Sequence, residues 1–357
     1  MIRESSGPPG QQAGSSVSAA GAIPPGQQAR RWSERLADFR RPDLRRSIGQ
    51  VVVTVAALAG FTALMGVSLS VGYWLTLLLA LPAAFFLVRA FIVQHDCGHG
   101  SFFRSGRAND WVGRCLGVLT MTPYGYWKRD HAVHHATSGN LDKRGVGDID
   151  TLTVSEYLAL SRWGRLRYRL YRHPVVLFGI GPAFLFLVKH RLALGHWRKD
   201  RRAWTSVLST NAAIAAVLTL AVLVFGAAAV VKVWLPVIVL ASTIGIWMFY
   251  VQHQFEGVYW RRGKAWDFHD AALDGCSLYD LPRWLHWLTG YIGYHHVHHL
   301  ASKIPNYRLR DCHLSVPDLQ RVHRMSIGES LRVIRLALWD EDAGRMIGFR
   351  DLRARAA

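Results

Sequence analysis

The sequence predicts an all-α integral membrane protein: four transmembrane helices in two hairpins, joined to a cytoplasmic helical cap rich in histidine. Three observations carry this expectation. Half of the 357 residues are hydrophobic, 11% are aromatic and only 19% are charged, too apolar a balance for the two soluble domains that such a length would otherwise hold. Uncharged runs long enough to cross a bilayer recur in two regions of the chain. Finally, 43 Lys and Arg against 24 Asp and Glu leave a net charge of +19, which in a membrane protein reflects cytoplasmic loops facing anionic lipid. Binding of nucleic acid, the competing reason for so basic a chain, would leave those apolar runs without a purpose.

Residues 1–29 are mostly Gly, Pro, Ser, Gln and Ala with only Arg3 and Glu4 charged, a composition that cannot bury a core and is expected to be disordered. Having no apolar stretch, this tail does not read as a signal peptide, and the first apolar run, after the basic juxtamembrane segment 30–48, is expected to be an uncleaved anchor. From Val51 to Val88 there are 38 consecutive uncharged residues, almost twice the ~20 that span a bilayer. A small polar break at Gly66–Gly72 divides them into spans of about 51–68 and 72–94. Uncharged runs Ala203–Val231 and Val233–Gln252, separated by Lys232, give a second hairpin with spans of about 205–226 and 233–252. The 15 residues Pro174–Val188 reach only about 22 Å as a helix, short of a ~30 Å hydrocarbon core, and contain Pro182. They are expected to be re-entrant or interfacial. Seven Arg in residues 30–46 and eighteen Lys or Arg in 100–202, against Lys232 alone in the two outer turns, place both termini and the middle loop in the cytoplasm.

Cys97, Cys115, Cys276 and Cys312 lie far apart with no CxxC pair, so neither a disulfide framework nor a thiolate metal site is indicated. Histidine is the anomaly. Nine of the seventeen fall into three windows of five residues. The first holds His95 and His99; at about 100° per residue, positions i and i+4 of a helix lie about 40° apart, so both rings can face one metal. The second, His131, His134 and His135, spans an arc of about 100° on one helix face. The third repeats the HxxHH pattern as His295, His298 and His299, while His296 projects further round. Eight imidazoles without thiolates suit two borderline metals with four ligands each, and imidazole is a good ligand for iron. Zinc hydrolysis is disfavoured because Asp96, not Glu, follows His95, and an HExxH protease has no use for two further triads. A polytopic metal transporter is a third reading, but it would set its ligands at mid-membrane and not at span ends.

HxxxH, HxxHH and HxxHH in this order, on the cytoplasmic side of four spans, resemble the integral-membrane fatty acid desaturase family. The flanking segments strengthen the match: His95–Phe103 (HDCGHGSFF), Gly147–Thr151 (GDIDT), Tyr250–Phe255 (YVQHQF) and Gly293–Leu300 (GYHHVHHL), followed by Ile304–Tyr307 (IPNY), look like the bacterial omega-6 (Δ12-type) branch. The resemblance covers about residues 48–312 within a membrane desaturase domain of 49–312, leaving 313–357 as a C-terminal cytoplasmic extension. It implies a cap carrying a di-iron site, two iron ions that use O2 and two external electrons to insert a cis double bond into an acyl-lipid or acyl-thioester, and a bacterial inner membrane as its location. It also implies a ninth ligand, His253. Where many relatives carry Asn, this chain has Tyr291. A fatty acyl or other lipid hydroxylase on the same scaffold is the alternative.

Metal-bound imidazoles commonly donate their second N–H to a carboxylate. Asp96, Asp130, Asp148, Asp150 and Glu256 lie near the clusters. Of these, Asp96, Asp130 and Glu256, together with His296, are the candidates to support the ligands, against the plainer reading of solvated loop acids. Tyr124 and Trp127 are candidates to wall an acyl tunnel or to anchor the chain at the interface. With no HPGG haem-binding segment, electrons are expected from a separate carrier such as ferredoxin or flavodoxin, drawn to a basic face.

Overall fold

The computed structural model of the protein describes residues 25–356. Most of the tail expected to be disordered lies outside the described residues, but 25–29 begin a helix, Pro25–Arg35. Trp32 within it and Leu36 just after it are buried, and its Arg35 pairs with Asp318, so the basic juxtamembrane segment is docked on the C-terminal region.

Four helices are long and apolar enough to cross a membrane: Leu44–Ser68, Tyr73–His99, Arg201–Phe225 and Ala227–His253. At 25 to 27 residues each they run about 38–40 Å, longer than a ~30 Å hydrocarbon core. Their end turns therefore stand clear of the hydrocarbon, and His95, His99 and His253 sit on those turns. Each is longer than the span expected of it because capping and interfacial polar residues extend the helix without breaking it. Asp43, for example, caps the first span by accepting from the Arg46 amide at 3.0 Å. The first hairpin closes over residues 69–72 and is tied by the Ser68 and Thr76 hydroxyls, 2.7 Å apart. The second turns at Gly226 alone, whose φ of 80° only glycine adopts freely. That turn differs from the expected Gly226–Lys232 loop: Lys232 lies within the fourth span, where its long side chain reaches the interface without ending the helix.

The second span is the central one, packing against the first and fourth, while the third is the least buried of the four. The segment expected at 174–188 is a π turn, Val175–Ile180, running into helix Gly181–Leu187, and the preceding helix Arg162–Tyr171 meets it at a 57° bend. Pro182 does not interrupt this helix; it sits in the first turn, where no amide is needed. Phe178 packs on Tyr250 of the fourth span and Phe186 on Phe91 of the second.

The cap is not wholly helical. Leu336–Asp340 pairs antiparallel with Arg345–Gly348 and parallel with Leu152–Thr153, and Leu278–Tyr279 pairs with Arg324–Met325. Strands of two to five residues, one pair of them joining Leu152 to Leu338, leave no legible alternation in the sequence, which is why it reads as all-α. The region 313–357 is consequently no appendage. Leu338 and Trp339 are buried, and the Leu336 carbonyl accepts from Tyr250 Oη at 2.9 Å and from Arg172 Nη2 at 2.8 Å. Replacing Trp339 by Ala is expected to destabilise the cap by about 3–5 kcal/mol, read as a lowered Tm together with weaker metal retention, because the paired strand Leu152–Thr153 follows directly on the loop that holds Asp148.

Candidate metal centre

Nine histidines from four helices converge in two adjacent groups. His95 and His99 end the second span, His131, His134 and His135 lie on helix Tyr124–Thr137, His253 ends the fourth span, and His295, His298 and His299 lie on the short helix His295–Leu300. One ring nitrogen from each of His95, His99, His131, His135 and His298 lies within 4.8 Å of the others, and the same holds for His134, His253, His295 and His299. The groups touch where the His135 and His299 rings stack at 4.1 Å.

The split is five and four, not four and four, and neither HxxHH triad serves a single group. A residue at i+3 lies about 60° behind i and about 100° from i+4. His131 and His135 therefore face the first group while His134 turns to the second. The third cluster mirrors this: His295 and His299 face the second group and His298 the first. Each triad gives its i, i+4 pair to one group and its remaining ring to the other.

The donor set fits two metal ions. Ring nitrogens approach at 3.1 Å for His131–His135, 3.0 Å for His135–His298 and 2.9 Å for His253–His295. Two imidazoles bound at about 2.0–2.1 Å to one ion at right angles would be about 2.9 Å apart. The Nε2 atoms of His99, His134 and His299 are buried with no hydrogen-bond partner among the described residues, and buried polar atoms in folded proteins are rarely left so without a reason. Desolvation, reinforced by the neighbouring rings, pushes His131, His135, His295, His298 and His299 well below the ordinary imidazole value. The neutral ring with a free lone pair is the form a metal needs.

Around the rings, the surrounding candidates separate. Asp96 approaches His95 Nδ1 at 3.2 Å and accepts from the Asn306 amide at 2.6 Å, joining the second span to the segment after the third cluster. The strongest carboxylate contact is instead Asp148 on His134 Nδ1, which the sequence did not single out from its neighbours. Gly147 makes it reachable: its φ is 72°, and a Cβ there would meet the Asp130 carbonyl at 3.1 Å and His134 Cβ at 3.2 Å. The GDID turn was the available signal. His253 Nδ1 faces the Gly275 carbonyl at 3.3 Å, leaving Nε2 for the second group. Asp130 accepts from the Trp197 indole at 2.6 Å and His296 pairs with His313 at 3.0 Å; both bind neighbouring elements rather than ligand rings in these contacts. Glu256 corrects the expectation more sharply. It is exposed and paired with Arg345 at 2.7 Å, because the chain turns outward after His253. Asp150 is likewise exposed.

Trp127 stacks on His131 at 4.6 Å and meets Phe91 at 5.3 Å, so it flanks the first group. Tyr124 does not; it is buried in a separate core, its hydroxyl donating to the Cys97 carbonyl at 2.9 Å, and Gly113 leaves room for its ring. Tyr291 holds a left-handed backbone (φ 58°), which Asn adopts with less strain than Tyr, and its ring stacks on His286. Replacing Asp148 by Ala is expected to weaken metal retention about 10–100-fold, measured by metal content after graded chelation, whereas Glu256→Gln leaves it unchanged.

The model of the family described as fatty acid desaturase matches residues 68–329. A Bacillus subtilis protein named fatty acid desaturase is 43% identical over 321 residues, 90% of this chain and 91% of the relative. Two Synechocystis proteins, an sn-1 acyl-lipid omega-3 desaturase (ferredoxin) and an sn-1 oleoyl-lipid 12-desaturase, are each 30% identical, covering 77% and 65% of this chain and 76% and 65% of their own lengths. With four apolar spans beneath two all-histidine groups and a match of this extent, the chain belongs to the fatty acid desaturase family and is an integral membrane oxidoreductase.

Proposed function

We propose that the protein is an acyl-lipid desaturase whose nine clustered histidines hold two iron ions. The carrying observation is the donor set itself: five and four imidazoles from two span ends and two short helices, with no thiolate or carboxylate in either group. Such a set suits iron among the borderline metals. With iron bound, the centre supplies the oxidising chemistry that takes two hydrogens from an unactivated chain, using O2 and two external electrons. The protein's own residues hold the rings and provide an apolar flank. Trp127 on His131, with Phe91 and Phe186 behind it, offers an aromatic wall beside which an alkyl chain can lie.

The double bond is assigned to Δ12, the position suggested by the segments around His253 and His299 and by the name of the Synechocystis oleoyl-lipid relative. Electrons come from a separate carrier of the ferredoxin or flavodoxin kind. The basic surface and the ferredoxin in the name of the omega-3 relative support this. The basic loops support a cytoplasmic side for both termini and the centre in a bacterial inner membrane, with residues 174–188 re-entrant or interfacial.

Expression in a host that makes oleate, with fatty acids read by mass spectrometry, tests the reaction. A new Δ12 diene is the expected product. A diene elsewhere or a monoene made from saturated chains moves the position, and a hydroxy acid as main product overturns desaturation. Metal analysis of the purified protein is expected to find two irons per chain, and zinc without iron would refute the centre. In a Cys115→Ser background, Ser70→Cys and Ala228→Cys, both exposed at the outer turns, are expected to react with an impermeant thiol reagent in intact cells, while the exposed Ser105→Cys is protected. Labelling of Ser105→Cys from outside would reverse the orientation.

A further inference from the structure

A cavity of about 20 Å³ lies against the second histidine group, lined by His134, Ser138, Asp148, His253, Val258 and Trp260 among others. One water needs roughly 10–15 Å³ and two to four polar partners. Trp260 is only 7% exposed, and its indole N–H is buried with no hydrogen-bond partner among the described residues. The polar residues Asp148 and Ser138 line the same cavity. Val258 and Tyr259 also wall a second cavity, of about 290 Å³, which opens between the exposed residues Arg261, Asp274, His323 and Gly344.

We propose that the small cavity is a water site whose donor is Trp260, and that water exchanges past Val258 between the surface basin and the second histidine group. This deepens the desaturase reading and rests on it for its purpose. Removing two hydrogens balances as R–CH2–CH2–R′ + O2 + 2 H⁺ + 2 e⁻ giving R–CH=CH–R′ + 2 H2O, with the electrons from the external carrier. Protons must arrive and water must leave, and a hydrocarbon-filled approach from the bilayer serves neither. The basin, with Arg261 and Asp274 at its mouth, gives the polar route, while the acyl chain takes the apolar flank at Trp127.

The test uses the full-length, iron-loaded protein in lipid nanodiscs with ¹⁵N-labelled tryptophan. Trp260→Phe identifies the Trp260 resonance by its loss. On transfer to deuterated water the Trp260 indole proton is expected to exchange about tenfold or more faster than that of Trp339, which is buried in the cap. Val258→Leu, with Tm confirming the fold, is expected to slow that exchange about tenfold and to raise the solvent deuterium isotope effect on turnover about twofold at unchanged KM for lipid. Exchange as slow as that of Trp339 overturns the water site. Fast exchange that Val258→Leu leaves untouched overturns the passage, and an unchanged isotope effect overturns its role in proton supply. The exchange measurement needs no turnover, so a protein that exchanges as expected but makes no double bond fails as a desaturase while keeping the water site.

Discussion

The structure depends on packing nine imidazoles into one largely water-excluded volume. A buried polar atom without a partner costs about 1–3 kcal/mol, and several ring nitrogens here have none among the described residues. Metal ions accepting those lone pairs would turn the penalty into binding energy, which would make metal loading and the order of the cap one equilibrium. The absence of carboxylates from the two groups sharpens the point, since no negative charge pre-pays the desolvation of a bound cation. The carboxylates stand one step back instead. Asp148 on His134 and Asp96 on His95 orient rings through Nδ1 and leave Nε2 to the centre.

Helix geometry explains why three short motifs can build two centres. An HxxHH segment cannot aim all three rings at one point, because the i+3 ring diverges from the i, i+4 pair. Two such helices set side by side solve this by exchange, each completing the other's group. The groups are thereby locked in register: moving helix His295–Leu300 displaces ligands of both at once. Supplying His95, His99 and His253 from the overhanging turns of two spans fixes the whole assembly at the membrane boundary, where a lipid-borne chain and a water-borne electron carrier can both approach.

The C-terminal region holds this arrangement from outside. Arg172, almost fully buried, spends its guanidinium on carbonyl and amide oxygens: Asp150 O at 3.2 Å, Gln254 Oε1 at 3.0 Å and Leu336 O at 2.8 Å. It so ties the loop after Asp148, the turn after His253 and the C-terminal hairpin. Hydrogen bonds to a charged donor are stronger than neutral ones, and a cation with only dipolar partners is expensive to bury unless each is well placed. This is the reason a segment lying outside the family's motifs still bears on the metal centre.

By itself the sequence determined the membrane class, the four spans and the histidines of the three clusters. Those are carried by local signals: unbroken apolar length, and spacings that a helix converts directly into a shared face. Only the tertiary structure decided which ring joins which group, because the partition follows from how separate helices face one another. The same holds for Asp148 over Glu256 and for Tyr124 as core rather than channel. Glu256 is three residues from His253 and Asp148 fourteen from His134, yet it is Asp148 that meets a ring, because the chain turns inward at Gly147 and outward after His253. The short strands belong with these, since two-residue strands that pair with partners 46 and 186 residues away leave no periodic trace.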